Sequence, residues 1–513
     1  MRTIIFLPLF LVFMLASISS TAQINSDDYI YPNPDKRIIL IESMKSDQQG
    51  ISGKNLSAEN PIYGLIMKEM AIDFHEQVNR INQCARNLVS NSNGPNILLL
   101  SSNDGGFPRQ GITLEYPDGK KQAFPNLHFV DLVLDERRIK QGSFSIYSHE
   151  MGHVMMNLIL DDFWNRYPNP TSPKQHVSMG VTDYLTAFFE GWGVHFQRLA
   201  YDYVERYRRS FHDKYQPNRG VTMSWHSNLD ESLRLMDVET KKYIYQKLLP
   251  GGIDEDTLSI QERILLEHTS PFFDPTRIKN AQQMLSCEGV LASLFYFISS
   301  SRTLQQNYQK ISFYRPFLIK EPKSEMIPED LFTPLENVLL KTVWVWSAMN
   351  QEVELDPPFI EFIKNWCRIF PEDKKELLTI FINVTKGKTI SNELAELTER
   401  INYYGQVGNL IEFRKLSSIW MDKYKTLITS ATNDIELLLQ NVGPELWIEH
   451  PDIQIRRTLW MDEPKSPLLI NLNTASYQEI IAFTTPEKAR KIIALRQQKG
   501  YLTERDKELL IFD

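Results

Sequence analysis

The sequence predicts an α+β protein that is predominantly α-helical, and three observations support this fold class. The chain has 513 residues, of which 42% are hydrophobic and 23% charged, as in a globular protein of several domains. Strand-like patterns are confined to residues 96–135, where apolar runs and a Pro-Asp-Gly turn predict a small, mostly antiparallel sheet. Apolar residues recur at helical spacing over most of residues 143–460. We therefore expect one small sheet with its helices, followed by a helical domain.

The N-terminal residues have the three parts of a secretory signal peptide. Arg2 supplies the positive start, residues 4–15 the apolar stretch, and residues 20–22 the small side chains of a cleavage site. Cleavage would leave Gln23 first in an exported, periplasmic or extracellular chain with no stable membrane span. An uncleaved anchor is the alternative, because the uncharged run over 3–23 is nearly long enough to span a bilayer.

The elements that follow can be placed in order along the chain. Polar residues broken by prolines and a glycine predict an extended leader before residue 61. Periodicity then predicts a helix, a strand, a hairpin, another strand and two helices, at residues 62–89, 96–100, 111–124, 127–135, 143–164 and 182–208. The expected divisions are a signal peptide (1–22), an extended leader (23–60), a first folded domain (61–300), a helical domain (301–465) and a C-terminal segment (466–513).

Charge and cysteine content exclude some classes of protein. The formal net charge of −8 argues against a chain built as a whole to bind polyanions, so nucleic acid is not the expected partner. The three cysteines, Cys84, Cys287 and Cys367, are too few for a disulfide scaffold and lack a CxxC zinc pattern. We expect buried free thiols.

The segment SHEMGHVMMN (148–157) carries a motif with specific chemistry. Residues four apart lie on the same helix face, so His149 and His153 can offer two imidazole nitrogens to one metal ion. Glu150 lies beside them and can reach a metal-bound water. This is the H-E-x-x-H arrangement of two zinc ligands and a general base. The alternative is a pair of core histidines on an ordinary buried helix.

A third ligand is expected from the next helix, where Glu190 lies outside the apolar stripe of LTAFFEGWGVHFQ (185–197). Gly191 and Gly193 are among its small neighbours, which allow another helix to approach closely. Each glycine costs helix stability of about 1 kcal/mol relative to alanine, so a purely structural helix has little reason to carry both. Rival third ligands are His176, Asp161 and Asp162.

Because of this motif and the glutamate that follows it, residues 95–210 resemble the gluzincin metallopeptidases, which carry HExxH on one helix and a ligating glutamate on the next. The resemblance implies a zincin-like catalytic domain in which His149, His153 and Glu190 bind Zn²⁺. A zinc-bound water would attack a bond of a peptide or protein substrate, with Glu150 as general base. Strand 127–135 is expected to line the cleft and to pair with extended substrate. Candidates for stabilising the oxyanion are His195, His226, Tyr184 and Tyr201.

The C-terminal residues 469–500 are similar to the helix-hairpin-helix module of competence-type exported DNA receptors. Residues 471–476 match the module's opening, and Pro486 matches the start of its second helix. The module's Gly-x-Gly, whose backbone N–H groups meet phosphate, is replaced here by Phe-Thr-Thr at 483–485. We therefore expect a structural or docking role for this segment and not DNA binding.

The motif and its context favour an exported zinc metallopeptidase of gluzincin type. The alternative function is a non-catalytic exported binding protein that uses a zincin scaffold, with the C-terminal segment engaging a partner or DNA. The presence of Glu150 favours the enzyme, because a binding protein has no need of the base.

Overall fold

Helices make up most of the residues that the structure describes, and one small sheet lies near the N-terminal end. The computed structural model describes residues 25–161, 181–207, 244–246, 273–349, 357–431, 435–455 and 466–511, apart from gaps at 34–37, 45–49, 90–93, 102–105, 117 and 206. The predicted signal peptide lies outside these residues. This architecture agrees with the predicted class, α+β with a predominance of helix.

The sheet has five strands, which are β1 (Ile38–Ser43), β2 (Ser52–Asn55), β3 (Asn96–Leu100), β4 (Gly106–Glu115) and β5 (Lys121–Leu132). They pair in the order β1-β2-β4-β5-β3, and β3 pairs in turn with β1. The β1–β2 and β4–β5 pairings are antiparallel and the other three are parallel, so the sheet is mixed and not mostly antiparallel. Its interior is a separate apolar cluster of Ile41, Ile97, Leu99, Ile112, Leu114, Leu127 and Phe129.

Two strands come from residues 23–60, which the sequence analysis assigned to an extended leader. β1 pairs in parallel with β3, with Ile38 opposite Asn96 and Ile41 opposite Leu99. The strand was missed because its apolar run is short and its stabilising partner lies more than fifty residues away. The leader therefore contributes to the folded core.

The second strand of the predicted hairpin and the strand predicted after it form one continuous strand, β5, and the first strand of the hairpin is the end of β4. A register shift at Gly111 interrupts the β4–β5 pairing, and Gly111 has a φ of +79°. A Cβ at this position would lie 2.9 Å from the carbonyl oxygen of Pro125, so glycine is needed for β4 and β5 to approach each other here. The bulge lets β5 continue past Pro125 instead of ending there.

The helices surround the sheet and continue to the C-terminus. They are α1 (Asp27–Ile30), α2 (Pro61–Met70), α3 (Asp73–Leu88), α4 (Glu136–Lys140), α5 (Ile146–Ile159), α6 (Tyr184–Tyr203), α7 (Ala281–Leu285), α8 (Glu288–Ser300), α9 (Arg302–Gln306), α10 (Ile311–Tyr314), α11 (Pro334–Met349), α12 (Pro358–Ile369), α13 (Lys374–Thr385), α14 (Asn392–Gln406), α15 (Leu410–Ala431), α16 (Tyr477–Ile481), α17 (Pro486–Lys499) and α18 (Glu504–Ile511). The predicted helix 62–89 is two helices, because Ile72 is extended where α3 begins. Two further strand pairs are β6 (Ile244–Gln246) with β7 (Phe273–Ile278), and β8 (Trp447–Ile455) with β9 (Ser466–Asn471).

One cluster of buried apolar residues extends from Ile30 to Leu438, and a smaller one holds Leu446 to Leu502 together. The large cluster includes residues from both sides of the predicted boundary at 300. In the part of the chain that is described, no helix has both the length and the apolar character needed to cross a membrane. All three cysteines are buried thiols, as predicted.

Candidate metal centre

The three side chains that the sequence analysis assigned as metal ligands lie together. The Nε2 atoms of His149 and His153 are 3.0 Å apart, and Glu190 Oε2 lies 3.6 Å from the first and 3.3 Å from the second. A zinc ion bound at ~2.0–2.1 Å by ligands at tetrahedral angles holds its donor atoms about 3.3–3.4 Å apart. The observed separations bracket that value, so the donor set has the size and chemistry of a zinc site.

Packing orients the two imidazole rings. His153 is 3% exposed and its ring stacks on Phe189, with centroids 4.0 Å apart and planes inclined by 7°. His149 and Glu190 are 16% and 15% exposed, so the open side of the site lies next to them. The Nδ1 atoms of both histidines are buried, and no described residue accepts a hydrogen bond from either. Packing therefore directs both Nε2 atoms toward Glu190.

Gly191 and Gly193 allow α6 to pack closely against the neighbouring helices. A Cβ at Gly193 would lie 2.7 Å from His153 Nε2 and 2.8 Å from His149 Nε2. Gly193 therefore leaves space where the two ligand atoms converge, as the small-residue argument predicted. A Cβ at Gly191 would instead lie 2.7 Å from Leu291 Cβ, so this glycine serves the packing of α6 against α8.

The charges around the site favour a cation. Burial acts to lower the pKa of His149, but the hydrogen bond with Glu190 and the charges of Glu150, Glu190 and Glu288 outweigh it and raise that pKa. Glu288, the first residue of α8, is 3% exposed and was missed by the sequence analysis. Its signal was a lone carboxylate within the apolar segment CEGVLASLF (287–295). This helix brings a further negative charge toward the centre.

Glu150 belongs to α5, the helix that carries the two histidines, and its side chain lies against the first residue of β4. Its side chain is buried at 7% exposure, and a Cβ at Gly106 would lie 2.8 Å from its Oε1. Gly106 begins β4 and also lines a cleft of about 490 Å³. That volume is within the ~300–1,000 Å³ range of ligand pockets. The carboxylate is therefore beside both the ligands and a space that can hold substrate.

Three of the four candidates for the oxyanion-stabilising residue have other hydrogen-bond partners. His195 is fully buried, its Nε2 lies 2.8 Å from Ser299 Oγ, and burial lowers its pKa to about 3. The Tyr184 hydroxyl donates to the carbonyl of Gly443 at 2.9 Å. The Tyr201 hydroxyl accepts from Ser145, which lies one turn before His149. His226 lies outside the described residues.

Two of the rival ligands, His176 and Asp162, also lie outside the described residues. Asp161 is exposed at the end of α5. It follows His153 by eight positions, or about 12 Å of helix. It is not part of the cluster formed by the histidine pair and Glu190.

The beginning of α6 is held by a residue that lies just before β8. The N–H of Tyr184 donates to Glu445 Oε1 at 2.9 Å, and Asp183 caps the helix by accepting from Thr186 N at 2.6 Å. Burial, and then the charge of Asp183, raise the pKa of Glu445 to about 8. The helix that carries Glu190 is therefore anchored through a carboxyl group that resists ionisation.

Replacing Glu445 by glutamine should make the protein's stability less dependent on pH. In the folded chain Glu445 keeps its proton up to about pH 8, whereas an ordinary glutamate loses it near 4.5. This contribution to stability is complete below pH 4.5 and is lost as pH rises toward 8. Between pH 5 and 8.5 the wild type should lose about 1–2 kcal/mol more unfolding free energy than Glu445→Gln, because the side chain keeps some exposure. Urea denaturation at each pH measures the unfolding free energy. The control is Glu449→Gln, which replaces an exposed glutamate and should behave as the wild type does. Equal pH dependence of stability in the wild type and Glu445→Gln would contradict the prediction.

Comparisons of the chain with protein-family models, with curated proteins and with solved structures find no match. The described residues contain one group of three His, Cys, Asp or Glu side chains whose ligand atoms lie close enough together to bind a metal ion. The group is His149, His153 and Glu190. The argument for function therefore depends on the chemistry of these side chains and their neighbours.

Proposed function

We propose that the protein is an exported zinc-dependent metallopeptidase with a zincin-like catalytic domain of gluzincin type. The observation that carries the proposal is the convergence of His149 Nε2, His153 Nε2 and Glu190 Oε2 at tetrahedral spacing. Two imidazoles and one carboxylate are the ligand set of catalytic zinc sites that keep one coordination position open. Export is proposed from the signal-peptide pattern of residues 1–22.

Glu150 is assigned the proton transfers of the reaction. Zinc bound at this site would lower the pKa of water toward about 7 and polarise the carbonyl of the scissile bond. Glu150 accepts the proton of the attacking water and then donates it to the leaving amine. Its carboxylate is buried next to Gly106, which lines the cleft, and its charge acts on His149.

The edge that receives an extended substrate is assigned to β4 and not to β5. Residues 130–132 of β5 pair with β3 on one side and β4 on the other, so the predicted strand has no free edge there. In the described part of the sheet, residues 106–110 of β4 pair with β5 alone. Their second edge begins at Gly106, next to Glu150. A peptide paired with this edge would pass the base.

The C-terminal segment is proposed to dock onto the catalytic body and not to bind DNA. Asn280 donates to the carbonyl of Asn473 at 3.1 Å, and Gln283 donates to the carbonyl of Thr474 at 2.6 Å. Among the segment's basic residues, Arg496 is buried and donates to two carbonyls of the segment itself, while Lys491 and Lys499 form ion pairs with Glu487 and Asp506. Basic side chains that are engaged in interactions within the segment are not available to bind phosphate.

Metal analysis of the purified protein tests the proposed site. After zinc loading and dialysis, the wild type should retain about one zinc ion per chain, as a complete three-ligand site holds the metal tightly. His149→Ala should lose most of it, since two donors remain. His450→Ala, which removes a histidine of β8, should retain it. A wild type that holds no zinc under these conditions would refute the site.

A further inference from the structure

The cleft beside Glu150 has a cationic lining. Gly106 and Ile146 form the end next to the base, because a Cβ at Gly106 would lie 2.8 Å from Glu150 Oε1 and 3.0 Å from Ile146 Cγ2. Arg137 and Arg138 contribute two guanidinium groups, and none of the described residues that line the cleft is acidic. The lining residues are Gly106, Leu132, Val133, Leu134, Arg137, Arg138, Gln141, Ser143 and Ile146.

The two arginines differ in their partners. Arg138 is half-buried, and its guanidinium donates to the carbonyl of Val133 at 3.0 Å, which fixes it against the cleft wall. Arg137 is exposed, and nothing in the described part of the chain forms a hydrogen bond or an ion pair with its guanidinium. The nearby acids are engaged elsewhere, because Asp135 accepts from Arg138 N at 2.7 Å and Glu136 pairs with Lys140. One guanidinium is therefore available to a ligand.

We propose that this cleft is a substrate subsite for a carboxylate, with Arg137 as the residue that binds it. The proposal rests on the proposed peptidase function and names its substrate class as peptides with a negative charge near the scissile bond. A planar guanidinium matches a carboxylate with two parallel N–H···O bonds. The fixed charge of Arg138 adds attraction without competing for the same hydrogen bonds. In a peptide this carboxylate is either the free C-terminus or an Asp or Glu side chain.

Binding to zinc-loaded Glu150→Gln measures the subsite without turnover. The probes are fluorescein-labelled peptide pools with randomised neutral positions, in two matched pairs. One pair compares a free C-terminus with a C-terminal amide, and the other compares a central Glu with a central Gln. We expect about tenfold tighter binding of the charged member in one of the pairs, and the pair identifies the source of the carboxylate.

The preference should disappear in Glu150→Gln/Arg137→Gln and persist in Glu150→Gln/Lys140→Gln. Lys140 lies on the same short helix and its replacement changes the net charge equally, but it does not line the cleft. Added salt should weaken the preference, since Arg137 is exposed. Equal affinity for charged and neutral peptides, no binding of any pool, or a preference that survives in the Arg137 variant would overturn the subsite. Wild-type turnover and zinc content are measured separately, so a failed subsite leaves the proposed peptidase function standing.

Discussion

Glu150→Gln should lower peptidase turnover by about 10²–10⁴-fold while the protein keeps its zinc. Glutamine has nearly the same shape as glutamate, so it can occupy the buried position next to Gly106. Its amide cannot accept the proton of the attacking water, and the leaving amine then lacks its proton donor. The ligands His149, His153 and Glu190 are untouched, so the metal content should not change.

The measurement is kcat on a quenched-fluorescence peptide library, together with zinc content on the same samples. Glu136→Gln is the matched control, because Glu136 is an exposed glutamate that pairs with Lys140. Unchanged turnover in Glu150→Gln would show that another group is the base. If zinc-loaded wild type cleaves no member of the library, the alternative of a binding protein on a zincin scaffold replaces the enzyme.

Gly193→Ala should weaken zinc binding by about a hundredfold. The new Cβ would lie 2.7 and 2.8 Å from the two histidine Nε2 atoms, where the proposed zinc ion would also lie. Relief requires α5 and α6 to separate, which also withdraws Glu190 from the histidine pair. Overpacking of this kind costs ~1–3 kcal/mol, and ~1.4 kcal/mol corresponds to tenfold in affinity. Competition titration with a chromophoric zinc chelator measures the change.

Gly191→Ala is the matched control, two residues away on the same helix. Its Cβ would meet Leu291 and the backbone of Ala292 on α8 and does not meet the histidines. We expect a loss of unfolding free energy with zinc affinity of the folded protein retained. Equal zinc affinity in Gly193→Ala and the wild type would refute the position assigned to the ion.

The histidine pair was predictable from the sequence because helical geometry is local. Residues four apart on one helix share a face whatever the helix packs against, so His149 and His153 could be paired without a tertiary structure. Glu190 was predictable for a related reason, since Gly191 and Gly193 indicate a helix that another helix can approach closely. The partner of each glycine was not predictable, and only Gly193 borders the histidines.

Features that join distant parts of the chain were decided by the tertiary structure alone. β1 is a short apolar run within a polar stretch and becomes a strand because β3 pairs with it. Glu288 lies about 100 residues beyond Glu190, and the packing of α8 on α6 brings its charge toward His149. Arg137 has the sequence signature of an ordinary surface residue, and only the fold places it in a cleft beside Glu150. The sequence by itself determined the chemistry of the proposed ligands and base, because that depends on residue type and helical spacing. The charge around the ligands and the shape of the cleft depend on non-local packing, which no local pattern encodes.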